Sequence, residues 1–160
     1  MGTYLIVGGS GVMGMAAIKA LRTTYGKEAT IIANWFGKKE PNFNIKGADH
    51  TLFGYITHPS CVEEIKSINR GCFDMMFYAT ALGEVGLPIR KATPEQIRQS
   101  HRLSFDPIPY LEEKLQIGLI IPYSTFYLLK HQICSYGAMG HSKEAIEKWV
   151  TQPGKSKRAC

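Results

Sequence analysis

A short apolar run at residues 3–7 ends abruptly in Gly8-Gly9-Ser10-Gly11-Val12-Met13-Gly14, and this junction constrains the chain more than any other stretch of it. Residues of β type that stop at three glycines in four positions describe a strand entering a turn too tight for side chains. The next segment is helical in pattern. From residue 12 to 25 the apolar Met13, Ala16, Ala17, Ala20 and Leu21 recur at intervals of three and four, and Gly26 stands where the helix should end. Strand, glycine turn and helix in that order open a βαβ unit.

The same alternation continues. Residues 29–33 form a second apolar strand, 34–47 a polar loop, and 50–56 a third strand. Val62, Ile65 and Ile68 share one face of a helix predicted over 59–69, with Ser60 as its N-cap and Gly71 as its stop. Residues 73–79 are almost continuously apolar, as in a strand covered on both faces of a parallel sheet. Thr93-Pro94-Glu95-Gln96 starts a helix that Asp106-Pro107-Ile108-Pro109 interrupts. Residues 117–121 make a fifth strand and 135–150 a last helix. Strands alternating with helices predict an α/β, doubly wound parallel sheet of the Rossmann type. At 160 residues the chain has room for one domain, here residues 1–150, followed by a polar, basic tail, 151–160, expected to fray.

The formal charge of +6 raises the question of nucleic acid. The basic residues are dispersed, apart from Lys38-Lys39 and the tail residues Lys155, Lys157 and Arg158, and no helix carries a dense basic stripe interleaved with aromatics. A surface that attracts phosphorylated ligands explains the balance without nucleic acid. No run approaches the 18 or so apolar residues that cross a bilayer, and no cleavable leader is visible, so a cytoplasmic protein without membrane attachment is expected. Cys61, Cys72, Cys134 and Cys160 show neither metal-ligand spacing nor a disulfide framework.

Gly9, Gly11 and Gly14 satisfy G-x-G-x-x-G directly after a strand and at the start of a helix, which is the context a dinucleotide site requires. Gly8, Gly11 and Gly14 fit the related spacing G-x-x-G-x-x-G. In either reading the amides of Ser10, Val12 and Met13 lie where a pyrophosphate is held at a helix start. The plain alternative is a glycine turn with no ligand. About 20 residues on, the ribose-reading position falls at Asn34. Asn34 with Lys38 and Lys39 leaves room and charge for a 2′-phosphate, so NADP is preferred and NAD remains possible; lysines that merely solvate a loop explain the pair equally well.

Over residues 3–150 the chain resembles the short-chain dehydrogenase/reductases. Gly54-Tyr55-Ile56-Thr57-His58-Pro59 is similar to the family segment beside the adenine, which puts Ile56 at the cofactor, although Tyr55 stands where an Asp is common. Ala79-Thr80-Ala81-Leu82-Gly83 matches the segment along the cofactor, and Ser104 takes the place of a frequent Asn. Tyr136-Gly137-Ala138-Met139-Gly140-His141-Ser142-Lys143 is the most specific segment. Met139 stands four before the lysine, where most members have tyrosine, whereas Tyr136 and Lys143 resemble the Tyr-x6-Lys motif of enoyl-acyl-carrier-protein reductases. The resemblance implies Tyr136 as proton donor or oxyanion stabiliser, Lys143 on the nicotinamide ribose, and Ser124 beside them, with Phe126 or Tyr127 as a second aromatic residue. It implies reduction of an enoyl thioester or carbonyl compound by a homo-oligomer. The departures at Tyr55, Ser104 and Met139 keep open a second reading, a dinucleotide-binding or regulatory relative without catalysis.

Overall fold

A computed structural model describes residues 2–37, 43–126, 128–154 and 156–159. Its strands are β1 (Gly2–Val7), β2 (Ala29–Trp35), β3 (His50–Phe53), β4 (Cys72–Tyr78), β5 (Gln116–Pro122) and β6 (Lys157–Arg158). All pair in parallel, in the order β3-β2-β1-β4-β5-β6. The helices are α1 (Val12–Tyr25), α2 (Pro59–Asn69), α3 (Pro94–Ser104), α4 (Pro107–Lys114), α5 (Lys130–Ser135) and α6 (Gly137–Val150). This is one doubly wound α/β domain.

Two cores form because successive side chains of a strand point to opposite faces. Tyr4 and Ile6 of β1 join Ile31 and Ala33 of β2 under Ala17, Ile18 and Leu21 of α1. Leu5 and Val7 face the other way, with Met76 and Ile120, and are covered by Ile65 of α2, Leu111 of α4 and Trp149 of α6. Complete burial of a Leu or Ile is worth about 1.5–3 kcal/mol, so these central residues anchor the sheet whose upper edge carries the site.

Local differences from the expected elements have identifiable causes. Strand β2 runs on to Trp35, so Asn34 lies in a strand rather than a loop. Strand β3 stops at Phe53 because Gly54 turns the chain with φ +92°. The cap of α2 is His58, whose Nδ1 accepts from the Ser60 amide, and not Ser60 itself, since Pro59 takes the first helical position. The last helix is divided at Tyr136, whose backbone pairs with Leu87, while Gly137 at φ +49° leads into α6.

The tail expected to fray is instead ordered over residues 156–159. Leu119 and Ile120 of β5 pair with Lys157 and Arg158, and Ala159 donates its amide to Ile120. Arg158 reaches Glu112 of α4 in an ion pair with both side chains under 10% exposed, donates to the Trp149 and Gln152 carbonyls, and lies 3.8 Å over the Trp149 ring. Glu112 also accepts the Ser156 amide. Lys155 and Cys160 lie outside the described residues.

Candidate active site

Strand β1 leads leftwards to β2 and β4 leads rightwards to β5, so the carboxyl ends of β1 and β4 flank the switch point at which open α/β sheets bind ligands. The glycine turn lies there. Gly8 carries the positive φ, +81°, and a Cβ on it would come within 2.7 Å of the Thr80 hydroxyl and 3.0 Å of the Thr80 amide. The tight turn is therefore at Gly8, as in the spacing Gly8, Gly11, Gly14. Gly9 is packed against Ala33, and a Cβ at Gly14 would be 2.2 Å from the Gly8 carbonyl oxygen.

Gly11 is different. It is exposed, has an ordinary φ of −77°, and a Cβ there would meet only the Gly8 oxygen, at 3.5 Å. Among the described residues, nothing in the packing demands glycine at this position. It is the N-cap of α1, no side chain caps the helix, and Ser10, Val12 and Met13 are all exposed around its first turn. The first-turn amides of a helix lack acceptors within it, so this end is a cradle for anionic oxygen. Two substitutions separate packing from binding. Gly14→Ala is expected to cost about 1–3 kcal/mol in urea unfolding through its backbone clash. Gly11→Ala is expected to change stability by less than about 0.5 kcal/mol, since the loss at the cap and the stiffer unfolded chain offset each other, yet to weaken dinucleotide binding at least tenfold. Equal affinity in the Gly11 variant would refute the cradle.

The far end of the edge is closed by the protein. The buried Asn34 donates through Nδ2 to the carbonyls of Leu52 (3.4 Å) and Gly54 (3.1 Å), tying β2 to the end of β3. Beside it Asn34, Tyr55, Ile56, Thr80 and Leu103 enclose a recess of about 10 Å³, enough for one water at most. Ile56 is itself buried in the core. Ala79 donates its amide to Val7, and Thr80 and Ala81 follow along the edge with increasing exposure. Lys38 and Lys39 lie outside the described residues, as does Tyr127.

The candidate chemical groups are placed by α6 and the end of β5. Tyr136 precedes α6 as its N-cap and is half-buried. Lys143, two turns along the helix, is 5% exposed, and its ammonium donates to the Tyr123 carbonyl at 2.7 Å. Burial pushes its pKa below the ordinary lysine value, because a low-dielectric setting disfavours the charged form. Ser124 donates to Glu147 of α6 at 2.8 Å. Tyr123 and Ser124 thus fasten β5 to α6 through Lys143 and Glu147, and no hydrogen bond links Tyr136 to either Ser124 or Lys143 among the described residues.

Many solved structures with a similar fold are short-chain dehydrogenases. The fold is that of the short-chain dehydrogenases. A short-chain dehydrogenase family protein from Francisella tularensis superposes with a TM-score of 0.72 at 20% identity, over 94% of this chain and 61% of that one. A short-chain dehydrogenase from Streptomyces avermitilis gives 0.70 at 16% identity, over 93% and 58%, and one from Saccharomyces cerevisiae gives 0.68 at 16%, over 94% and 63%. The chain spans about three fifths of their length. No family model and no curated protein matches the sequence.

On the short-chain dehydrogenase fold this chain carries polar groups that sequence periodicity does not reveal. Ser104, fully buried, accepts from the Leu82 amide and donates to the Leu82 carbonyl, both at 2.8 Å. Ser100 donates to the same carbonyl and shares a 2.7 Å hydrogen bond with Ser142 of α6. These serines fix α3, α6 and the segment after β4 to one another beneath the site. Ser104 stands out in the sequence as the residue in place of a frequent Asn, and Ser100, four before it on the same helix, only by that spacing; their partners, 18 to 42 residues distant, give no local signal.

Proposed function

We propose that the chain is a dinucleotide-dependent oxidoreductase that reduces an enoyl thioester or a related carbonyl compound. The carrying observation is the uncrowded, exposed Gly11 at the open start of α1, on the switch-point edge of the sheet. The Gly8–Gly14 cradle fits a pyrophosphate, and Thr80 and Ala81 border its path. When bound, a nicotinamide dinucleotide supplies a hydride. Reduction leaves negative charge on the substrate oxygen, which the Tyr136 phenol is proposed to stabilise or protonate. Lys143, at one side of the same helix, is proposed to hold the nicotinamide ribose, and its charge would favour the phenolate during proton donation. Ser124 would orient the substrate oxygen after exchanging its bond to Glu147. The end of β2 offers no carboxylate to a ribose, Asn34 being buried and bonded to the Leu52 and Gly54 carbonyls, and this lack supports NADP over NAD.

Titration with NADPH and NADH followed by oxidation assays with crotonyl and acetoacetyl thioesters tests the proposal. Tighter binding of NADPH and turnover of either thioester support it, and a clear NADH preference removes the NADP assignment. A dinucleotide-binding relative without catalysis is the second reading, favoured by the bonds that engage Ser124 with Glu147 and Lys143 with Tyr123. Binding with no turnover of either thioester selects it.

A further inference from the structure

Tyr55 lines the recess beside Asn34 together with Phe36, Thr80 and Leu103. Tyr55 follows Gly54, whose φ of +92° ends β3 and around which no atom of the described residues would crowd a Cβ. Its hydroxyl donates to the Arg102 carbonyl at 2.5 Å. That carbonyl lies in the last turn of α3, where helix oxygens lack partners within the helix, and Tyr78 serves the neighbouring Leu103 carbonyl in the same way. The Arg102 guanidinium stands 5.7 Å over the Tyr55 ring, and Phe36, itself 57% exposed, meets that ring edge-on at 5.9 Å. Asn34, Thr80 and Leu103 line the recess with Tyr55, and about 10 Å³ of it is free. A purine needs many times that space.

We propose that Tyr55 is a specificity-determining gate over the adenosine end of the site, latched to α3 and displaced when an adenine nucleotide seats. The proposal rests on the dinucleotide reading above. Among the described residues Tyr55, at a half-exposed position, is held by one hydrogen bond and two ring contacts, each of a strength that ligand binding can exchange. A ligand that binds only the open form has its apparent affinity reduced by the fraction of molecules that are open. Discrimination follows from that reduction: a nucleotide whose base fills the vacated recess repays the opening, and one without a purine does not.

Calorimetric titration with ADP-ribose tests the gate in the parent, Tyr55→Phe and Tyr55→Ala proteins. Tyr55→Phe keeps the ring and removes the latch, so its dissociation constant should fall by about three- to tenfold, the worth of one neutral hydrogen bond. Tyr55→Ala should bind at least as tightly as Tyr55→Phe. Unchanged or weaker binding by Tyr55→Phe overturns the gate, and weaker binding by Tyr55→Ala alone assigns the ring to stacking on the base instead. If all three proteins melt cooperatively and none binds ADP-ribose, the dinucleotide reading itself fails and the gate with it.

Discussion

Tyr136→Phe is expected to lower turnover of crotonyl or acetoacetyl thioester by about 10²–10⁴-fold, the range lost when a positioned proton donor is removed. Stability and dinucleotide affinity should barely change. Among the described residues the Tyr136 hydroxyl has no protein partner, and the ring, half-buried before α6, survives the substitution. The kinetic pattern matters as much as the size. A group that acts on charge developing in the transition state lowers kcat and kcat/KM together, whereas a packing residue shifts the melting temperature first. Turnover at the parent's rate would take Tyr136 out of the chemistry.

The second large effect is expected at the other end of α6. Arg158→Ala should lower the free energy of unfolding by about 3–5 kcal/mol, because it strands Glu112 as a buried carboxylate without its cation. That is a large share of the roughly 5–15 kcal/mol by which domains are stable. Acid should act on the same contact. Burial raises the pKa of Glu112, but the hydrogen bonds from Arg158 and Ser156 outweigh it and hold the carboxyl below the ordinary value of 4.5. A lowered carboxyl pKa contributes stability that is complete above 4.5 and is lost as the pH falls through the folded value. Urea unfolding at pH 7 and at pH 3 should therefore show a smaller penalty for Arg158→Ala in acid. A penalty below about 1 kcal/mol at pH 7, the range of solvent-exposed pairs, would show that the contact does not hold the sheet edge.

The sequence patterns that located the elements are local, and local rules held where one face of a strand or helix had to be buried. Helix α1 spans residues 12–25 as its periodicity indicates, and the apolar run of β4 does lie in the middle of a parallel sheet. Arg158 shows where such rules stop. In sequence it is one of several basic residues in a polar terminus, and only the fold brings Glu112, 46 positions earlier, against it. Among the candidate site residues, the glycines were legible because tight turns admit few side chains, although the turn centres on Gly8. Asn34 and Ser124 were located but not their partners, since Leu52, Gly54 and Glu147 meet them through tertiary packing. The break before α6 depends on Gly137 adopting φ +49° against the Glu84 carbonyl, which spacing between Tyr136 and Lys143 does not encode.

That break gives the connection after β4 an influence over the phenol. The Gly137 amide hangs from the Leu87 carbonyl and the Ala138 amide from that of Glu84, and a Cβ on Gly137 would come within 2.2 Å of the Glu84 oxygen. Tyr136 is consequently aimed by residues 84–87 as much as by its own helix. Changes in that short stretch, even ones leaving the sheet and both cores untouched, would re-aim the ring, so divergence in reactivity between relatives could arise there without any substitution at Tyr136.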